Sequence, residues 1–247
     1  MRFEHETQRW GLTINVKKTK QLITEVNKSV TKDVDIEIRG EKVERVKDFV
    51  YLGSALDERG SCGVKIERRI RLDLWRFNEL RKPVWSQSSI SVKTKMQIYE
   101  ATVLSVILYG CETWTCTDKD YKRLNIFHTK RLRAILGKRK DEISNKNLYS
   151  RTRSGPLENK IRKARLRWAG HVRRMEDKRI PKRVLFGELV EGKGKGEPRS
   201  NWLKCLEEDC MKVNIPYGRW TGETKNRQKW RNTLSYLTVE RKKKDTN

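Results

Sequence analysis

The strongest constraint on how this chain can fold is a change of hydrophobic period near residue 60. Upstream of it, Leu12, Ile14 and Val16 alternate with polar residues, and Val34, Ile36 and Ile38 do the same as far as Gly40. Alternation with period two turns one side-chain face to a core and the other to water, so both runs predict half-buried strands. Phe3 and Trp10 ahead of Gly11 predict a short helix that stops at the glycine, and Val43, Val46, Phe49, Val50, Tyr51 and Leu52 lead into a turn at Gly53 and Ser54. From Gly63 the period is helical. Ile66, Ile70, Leu74 and Phe77 mark an amphipathic helix over 64–81 that ends before Pro83. Residues 93–109 are apolar on nearly every side in their second half, which predicts a buried helix closed by Gly110. Thr117 followed by Asp120 is a capping-box start for a third helix, with Tyr121, Leu124, His128, Leu132 and Ile135 as its inner stripe and Gly137 as its stop. The expected fold class is α+β, with a small β-rich part followed by a mostly helical one.

Beyond residue 150 the chain stays helical in pattern but turns strongly basic. Residues 160–183 hold eleven Lys or Arg against two acids, with Ile161, Leu166, Trp168, Val172 and Met175 as an apolar minority. Gly192, Gly194, Gly196 and Pro198 then predict a mobile loop, which lacks the Gly-Lys-Ser/Thr ending of a phosphate loop. A last helical pair is expected around Trp202, Leu203 and Leu206 and around Trp230, Leu234 and Leu237. The organisation expected is a β-rich segment 1–60, a helical domain 61–150 and a basic helical region 151–247 with the Gly-rich loop.

Charge narrows the function. Lys and Arg outnumber Asp and Glu by 58 to 32, for a net charge of +26 and a pI near 10.1, in a chain only 35% hydrophobic. Such a chain repels itself when compact unless a polyanion neutralises it, and RNA or DNA backbone is the expected partner. No apolar stretch follows the first Met, and the longest apolar run, Val103 to Tyr109, is broken by Ser105. A soluble intracellular protein, nuclear or cytoplasmic, with no membrane and no small-molecule substrate is therefore the expectation. The five cysteines are an odd number, expected to be reduced thiols. Cys111 and Cys116, like Cys205 and Cys210, are four residues apart rather than two, and His128 and His171 are too scattered to complete a zinc site, so no structural metal is expected. His128, on an apolar stripe, reads as a core histidine. The best binding candidates are Arg162, Lys163, Arg165, Arg167, Arg173 and Arg174, crowded beside Trp168 and His171, with Lys182 and Arg183 just beyond; phosphate contact and base stacking suit that mixture. The alternatives are a merely solvated charged face and, for Trp168, a place in the core.

Two short segments carry a resemblance to a known family. Residues 11–20 (GLTINVKKTK) resemble the fourth palm motif of non-LTR (LINE-type) retrotransposon reverse transcriptases, and residues 49–54 (FVYLGS) resemble the primer-grip hairpin of the same enzymes. Residues 98–114 (IYEATVLSVILYGCETW) look like their thumb helix and 124–137 like the helix after it. Residues 165–175 (RLRWAGHVRRM), then Arg179, Ile180, Pro181, Gly187 and Trp202, follow the family's basic C-terminal region in order. The resemblance implies the end of a palm, a thumb and a basic extension. It places Lys18 or Lys20 near an incoming triphosphate and Tyr51 and Gly53 against a primer backbone, where a glycine lets the main chain come close. Read from the residues alone, Lys18 and Lys20 are exposed strand-end lysines, and Phe49, Tyr51 and Leu52 plug the junction between sheet and thumb.

The family's chemistry depends on carboxylates that hold two divalent ions: an Asp in an upstream palm motif and the Asp-Asp pair of a Tyr-x-Asp-Asp loop. Both would fall before residue 1, and the sequence has no Asp-Asp pair; Asp33 and Asp35 come nearest and read as solvated strand-end acids. The resemblance thus implies a chain that is inactive alone and needs Mg²⁺ only if such a palm precedes it. Three readings stay open: a non-catalytic, sequence-tolerant RNA or DNA binder; a part of an active RNA-directed DNA polymerase whose palm lies upstream or on another chain; and an expressed relic without function.

Overall fold

The computed structural model describes residues 2–23, 35–58, 60–186, 202–216, 218–235 and 237, and the chain divides into two compact units, Met1–Lys65 and Ile66–Asn247. The fold is α+β: two-stranded sheets in the first unit and helices in the second.

In the first unit, helix α1 (Arg2–Arg9) ends just before Gly11. The alternating run that follows is not a strand. Asn15 accepts a hydrogen bond from the Lys18 amide at 3.1 Å and caps a 3-10 turn, Val16–Lys18, because a short amide side chain offers the backbone a local partner that competes with a ladder. Strand β1 (Lys20–Gln21) pairs in parallel with β4 (Glu44–Arg45), and β2 (Glu37–Ile38) pairs antiparallel with β3 (Glu41–Lys42). The expected strand start at Val34 and the acid Asp33 lie outside the described residues. Strands β5 (Asp48–Tyr51) and β6 (Ser54–Asp57) form a hairpin whose two turn residues, Leu52 and Gly53, have φ of +47° and +78°. Two consecutive positive φ values match the right-handed twist of the flanking strands; Gly53 adopts its value freely, while Leu52 takes a conformation costly for a side chain. Ile38, Val43 and Ala55 are the buried apolar residues among these strands.

In the second unit, helix α2 (Cys62–Glu79) buries Ile66, Ile70 and Phe77 as its spacing predicts, but Asp73 takes the inward position expected for Leu74. A five-residue π turn, Arg81–Trp85, follows, in which the Trp85 indole donates to the Phe77 carbonyl at 2.8 Å. Helix α3 (Val92–Ile98), the π-helical stretch Tyr99–Leu104 and α4 (Ser105–Ile107) make up the expected central helix, with Tyr99, Val103 and Ile107 buried but Ser105 exposed. Helix α5 (Asp118–Leu136) starts on the Thr117–Asp120 capping box and buries Tyr121, Leu124, His128, Leu132 and Ile135, the stripe read from the sequence. Then come α6 (Asn145–Thr152), α7 (Leu157–Arg173), α8 (Ile180–Phe186), α9 (Trp202–Lys212), α10 (Trp220–Glu223) and α11 (Arg227–Ser235). The helices on either side of residue 150 share one body. Among the described residues no helix is long and apolar enough to cross a membrane, and the five cysteines are buried thiols. The Gly-rich loop lies outside the described residues.

Helix α7 is the hub. Leu166 and Ala169 on it pack with Leu206, Cys210, Trp220, Trp230 and Leu234 from α9, α10 and α11. Within this core Arg165 Nη1 donates to Asp209 Oδ2 at 2.9 Å, Arg162 Nη1 donates to Asp209 Oδ1 at 2.8 Å, and Arg165 Nη2 donates to the Tyr121 hydroxyl at 3.1 Å. Gly170 is also buried. A Cβ there would sit 2.5 Å from Trp230 Nε1, so the glycine is what lets α11 seat against α7 and the Trp230 indole donate to the Leu166 carbonyl at 3.0 Å.

Two substitutions test this packing by chemical denaturation. Asp209→Asn leaves Arg165 charged, buried and half-partnered, and should cost about 3–5 kcal/mol; an unchanged midpoint would mean that the pair contributes no stability. Gly170→Ala gains up to about 1 kcal/mol of helix propensity but overpacks against the Trp230 ring at a cost of about 1–3 kcal/mol, so the melting temperature should fall. A rise would show that α11 moves aside freely.

A third test concerns His128, fully buried, with Nδ1 2.9 Å from the Tyr99 hydroxyl and Nε2 3.2 Å from Ser154 Oγ. Burial, helped by the charge of Lys160, pushes its pKa down from 6.5 to about 3. The unfolded chain therefore binds this proton first as pH falls, and stability is lost from pH 6.5 down to about 3, about 2 kcal/mol of it between pH 7 and 5. Asp73 acts with the opposite sign: burial pushes it up from 3.8 to about 7, so its protonation favours the folded state over the same range. Comparing the wild type with His128→Gln isolates the imidazole: their stability difference should shrink by about 2 kcal/mol from pH 7 to pH 5. A pH-independent difference would mean that His128 titrates normally inside the fold.

Candidate nucleic-acid interface

The basic run read as a binding segment is one helix with two chemically different faces. Arg162, Arg165, Leu166 and Ala169 point into the unit, whereas Lys163, Arg167, His171 and Arg174, spaced four, four and three, share the outer face. The inner residues correct the sequence reading. Arg165 is 1% exposed and spends its guanidinium on Asp209 and Tyr121, and Arg162 lies 4.9 Å over the Tyr121 ring while bonded to Asp209. Neither is offered to a phosphate. Helical spacing alone could not separate them, because their partner is more than forty residues away on α9. Burial works against the Arg165 charge, but Asp209 and Tyr121 outweigh it and leave its pKa raised.

The outer face forms one wall of a groove of about 830 Å³ whose other wall is α11, lined by Arg227, Trp230, Arg231 and Leu234. Its position follows from Gly170, which brings the two helices together, and from Arg174, whose Nη1 donates to the buried Thr224 carbonyl at 2.8 Å just ahead of α11. Trp168 is half-buried at the groove, its ring centroid 5.5 Å from that of His171 and tilted by 44°. Glu112, on the 3-10 turn Cys111–Thr113, is the one acid among the lining residues.

The electrostatics are lopsided. Among the lining residues Lys163, Arg167, Arg174, Arg227 and Arg231 stand against one acid, Glu112. Burial and then the charges of Arg167 and Lys160 lower the Lys163 pKa, and burial and then Arg227 lower that of Arg174. Among the described residues Arg167, Arg227 and Arg231 have no hydrogen-bond or ion-pair partner. Guanidinium groups suit the planar fork of a phosphodiester, and the Trp168 and His171 rings offer faces for bases. A second groove of about 620 Å³ beside α5 sets Asp118 and Glu158 against Lys119 and Lys122 and so offers a polyanion no comparable field.

Of the residues singled out in the sequence, the groove brings together Lys163, Arg167, Trp168 and Arg174. Arg173 instead lies 5.4 Å over the Phe186 ring, and Lys182 is tied to the Met175 carbonyl at 2.6 Å and to Asp177. Arg183 is exposed on α8. Lys18, Lys20, Tyr51 and Gly53 belong to the other unit: Lys18 is exposed, Lys20 is ion-paired with Glu44, and Tyr51 and Gly53 are on the β5–β6 hairpin. Asp35, one of the two acids nearest to a paired carboxylate in the sequence, is bonded to Lys42 at 3.0 Å. Sequence reasoning missed Arg227 and Arg231. Their four-residue spacing beside Trp230 and Leu234 repeats the basic-aromatic pattern of α7 and was the available signal. Nothing local marked Glu112.

No protein-family model matches the chain, and no solved structure matches it. It is 25% identical over 234 residues to a protein of Caenorhabditis elegans named as transposon-derived, a match covering 89% of this chain and 81% of that protein. It is also 26% identical over 129 residues to a Drosophila melanogaster protein named as an RNA-directed DNA polymerase from transposon BS, covering 52% of this chain but 14% of that protein. The chain is therefore related to transposon-encoded proteins and is of retrotransposon-related origin.

Proposed function

We propose that this chain is a non-catalytic, retrotransposon-derived protein that binds the backbone of RNA or DNA in the α7–α11 groove with little dependence on sequence. The observation that carries this reading is the convergence of five cationic side chains and an aromatic pair on one concave surface with a single opposing carboxylate. Phosphodiester backbone supplies evenly spaced anions at that scale, and counterion release drives its binding whatever the base sequence. Resemblance of residues 98–114 to a thumb helix, of 124–137 to the helix after it and of 165–175 to a basic C-terminal region supports the same assignment. Silence in catalysis is proposed because the sequence holds no Asp-Asp pair and Asp35 is engaged by Lys42; this chain's residues would hold no pair of Mg²⁺ ions in the manner of the palm.

The second reading is that the chain acts as the thumb and basic extension of a complete polymerase. It is favoured by the match to one-seventh of a protein named as a polymerase. Both readings use the groove for the same contact and differ in whether a palm works beside it.

The groove is tested by salt dependence. Each phosphate contact contributes a slope of about −0.7 in log K against log salt on single strands, so replacing Arg167, Arg227 and Arg231 together with Gln should flatten the slope by about 2 units. Trp168→Ala should weaken binding by about five- to a hundredfold with the slope nearly unchanged, because stacking carries no counterions. Arg183→Gln, outside the groove, should change little. An unaltered slope in the triple variant, with its circular dichroism intact, would move the binding surface elsewhere.

A further inference from the structure

A groove that served only to hold phosphate would be weakened by a carboxylate in its wall. Glu112 is such a carboxylate, and its side chain has no hydrogen-bond or ion-pair partner among the described residues, although five cations line the same groove. It is not there by looseness of the chain. The 3-10 turn that carries it is anchored on one side by buried Cys111 and on the other by Trp114, and the Glu112 carbonyl accepts the Trp202 indole N–H at 2.7 Å. The backbone is thus fixed where Glu112 lines the groove. The same lining includes Ala164 and the half-buried Trp168, whose ring is an aromatic surface for a base, whereas Trp230 and Leu234 are buried in the core.

We infer that the groove takes single-stranded nucleic acid with one unpaired base lodged against Trp168, and that Glu112 makes guanine the preferred base there. This rests on the reading of the groove as a nucleic-acid site. A carboxylate is an acceptor only, with two oxygens side by side. Guanine presents two parallel donors, N1–H and N2–H, that match both oxygens. Adenine and cytosine present one amine next to an acceptor nitrogen, and uracil and thymine present one N–H between two carbonyls that the carboxylate repels. In a duplex the guanine donors are already paired, so only an unpaired base can be read this way. The surrounding cations leave affinity dominated by backbone, and the carboxylate adds a preference at one position.

The test uses the full chain and fluorescence anisotropy with short labelled oligouridylates, either uniform or carrying one central guanosine, adenosine or inosine. The guanosine probe should bind roughly tenfold more tightly than the uniform one, the range expected for a bidentate contact to a base. Adenosine, which stacks as a purine does but lacks the paired donors, and inosine, which lacks the N2 amine, should lose most of that gain. Glu112→Gln should abolish the guanosine advantage and leave binding of the uniform probe equal or stronger. Equal binding of guanosine and adenosine probes by the wild type, or a guanosine preference that survives in Glu112→Gln, overturns the inference; the inosine comparison needs no variant to fold. The two readings separate cleanly. If the Arg167, Arg227 and Arg231 triple Gln variant loses binding of the uniform probe, the groove stands whatever Glu112 does, and if it binds like wild type the groove itself is refuted.

Discussion

One carboxylate that water does not reach, Asp209, sets the arrangement of the helical unit. Taking a carboxylate and a guanidinium out of water costs several kcal/mol per ion, and their attraction offsets this only when the geometry is good and the remaining donors are used. Here both oxygens are engaged, one by Arg165 and one by Arg162, and Arg165 turns a further donor to the Tyr121 hydroxyl, while its buried Nε has no partner among the described residues. Helices α5, α7 and α9 are tied through that single cluster. Burial raises the Asp209 pKa and the two guanidiniums pull it back, to about 6, so it remains ionised at neutral pH. The rotation of α7 about its own axis follows. With Arg165 directed inward, the side chains at 163, 167, 171 and 174 have no choice but the outer face, and the groove is the consequence of a core ion pair.

The unit holds a contrasting case in Asp73. Its carboxyl is as inaccessible as that of Asp209, yet its nearest cation, Arg131 Nε, is 4.0 Å away and neither oxygen has a hydrogen-bond partner among the described residues. Arg131 is instead held over the Phe77 and Phe127 rings at 4.7 and 4.5 Å. With this weaker compensation, burial pushes the Asp73 carboxyl up to about 7. Two buried acids in one fold therefore differ in role: one organises three helices, while the other is a local cost next to an aromatic-stacked arginine.

Repulsion is built into the groove as attraction is built into the core. Gly170 and Trp230 force α11 against α7, and with it Arg227 and Arg231 against Lys163, Arg167 and Arg174. That proximity of like charges is unfavourable, and the packing that stabilises the unit is what holds them together. The guanidiniums are placed by helix packing along the groove, and Glu112 is the one acid among the described residues that line it.

The sequence by itself determined the elements whose forces are local. The Thr117–Asp120 box, the inward stripe of α5, the glycine-ended helices and the hairpin at 49–54 all depend on residues within one or two turns of each other, so their spacing could be read directly. The charge of +26 likewise belongs to composition, and it points to a polyanion before any fold is known. Local reading failed where a competing partner was also local but polar, as when Asn15 capped a 3-10 turn inside an alternating run, or where a charged residue took an apolar place, as Asp73 did for Leu74. Which arginines build the core and which stay accessible was decided only by tertiary structure. Arg165 and Arg167 are two residues apart in the same basic run, and one lies in the core while the other faces solvent because Asp209, forty-four positions downstream, meets only the first. A sequence records how many charges there are, but the dielectric around each one is fixed by chain segments that folding alone brings near.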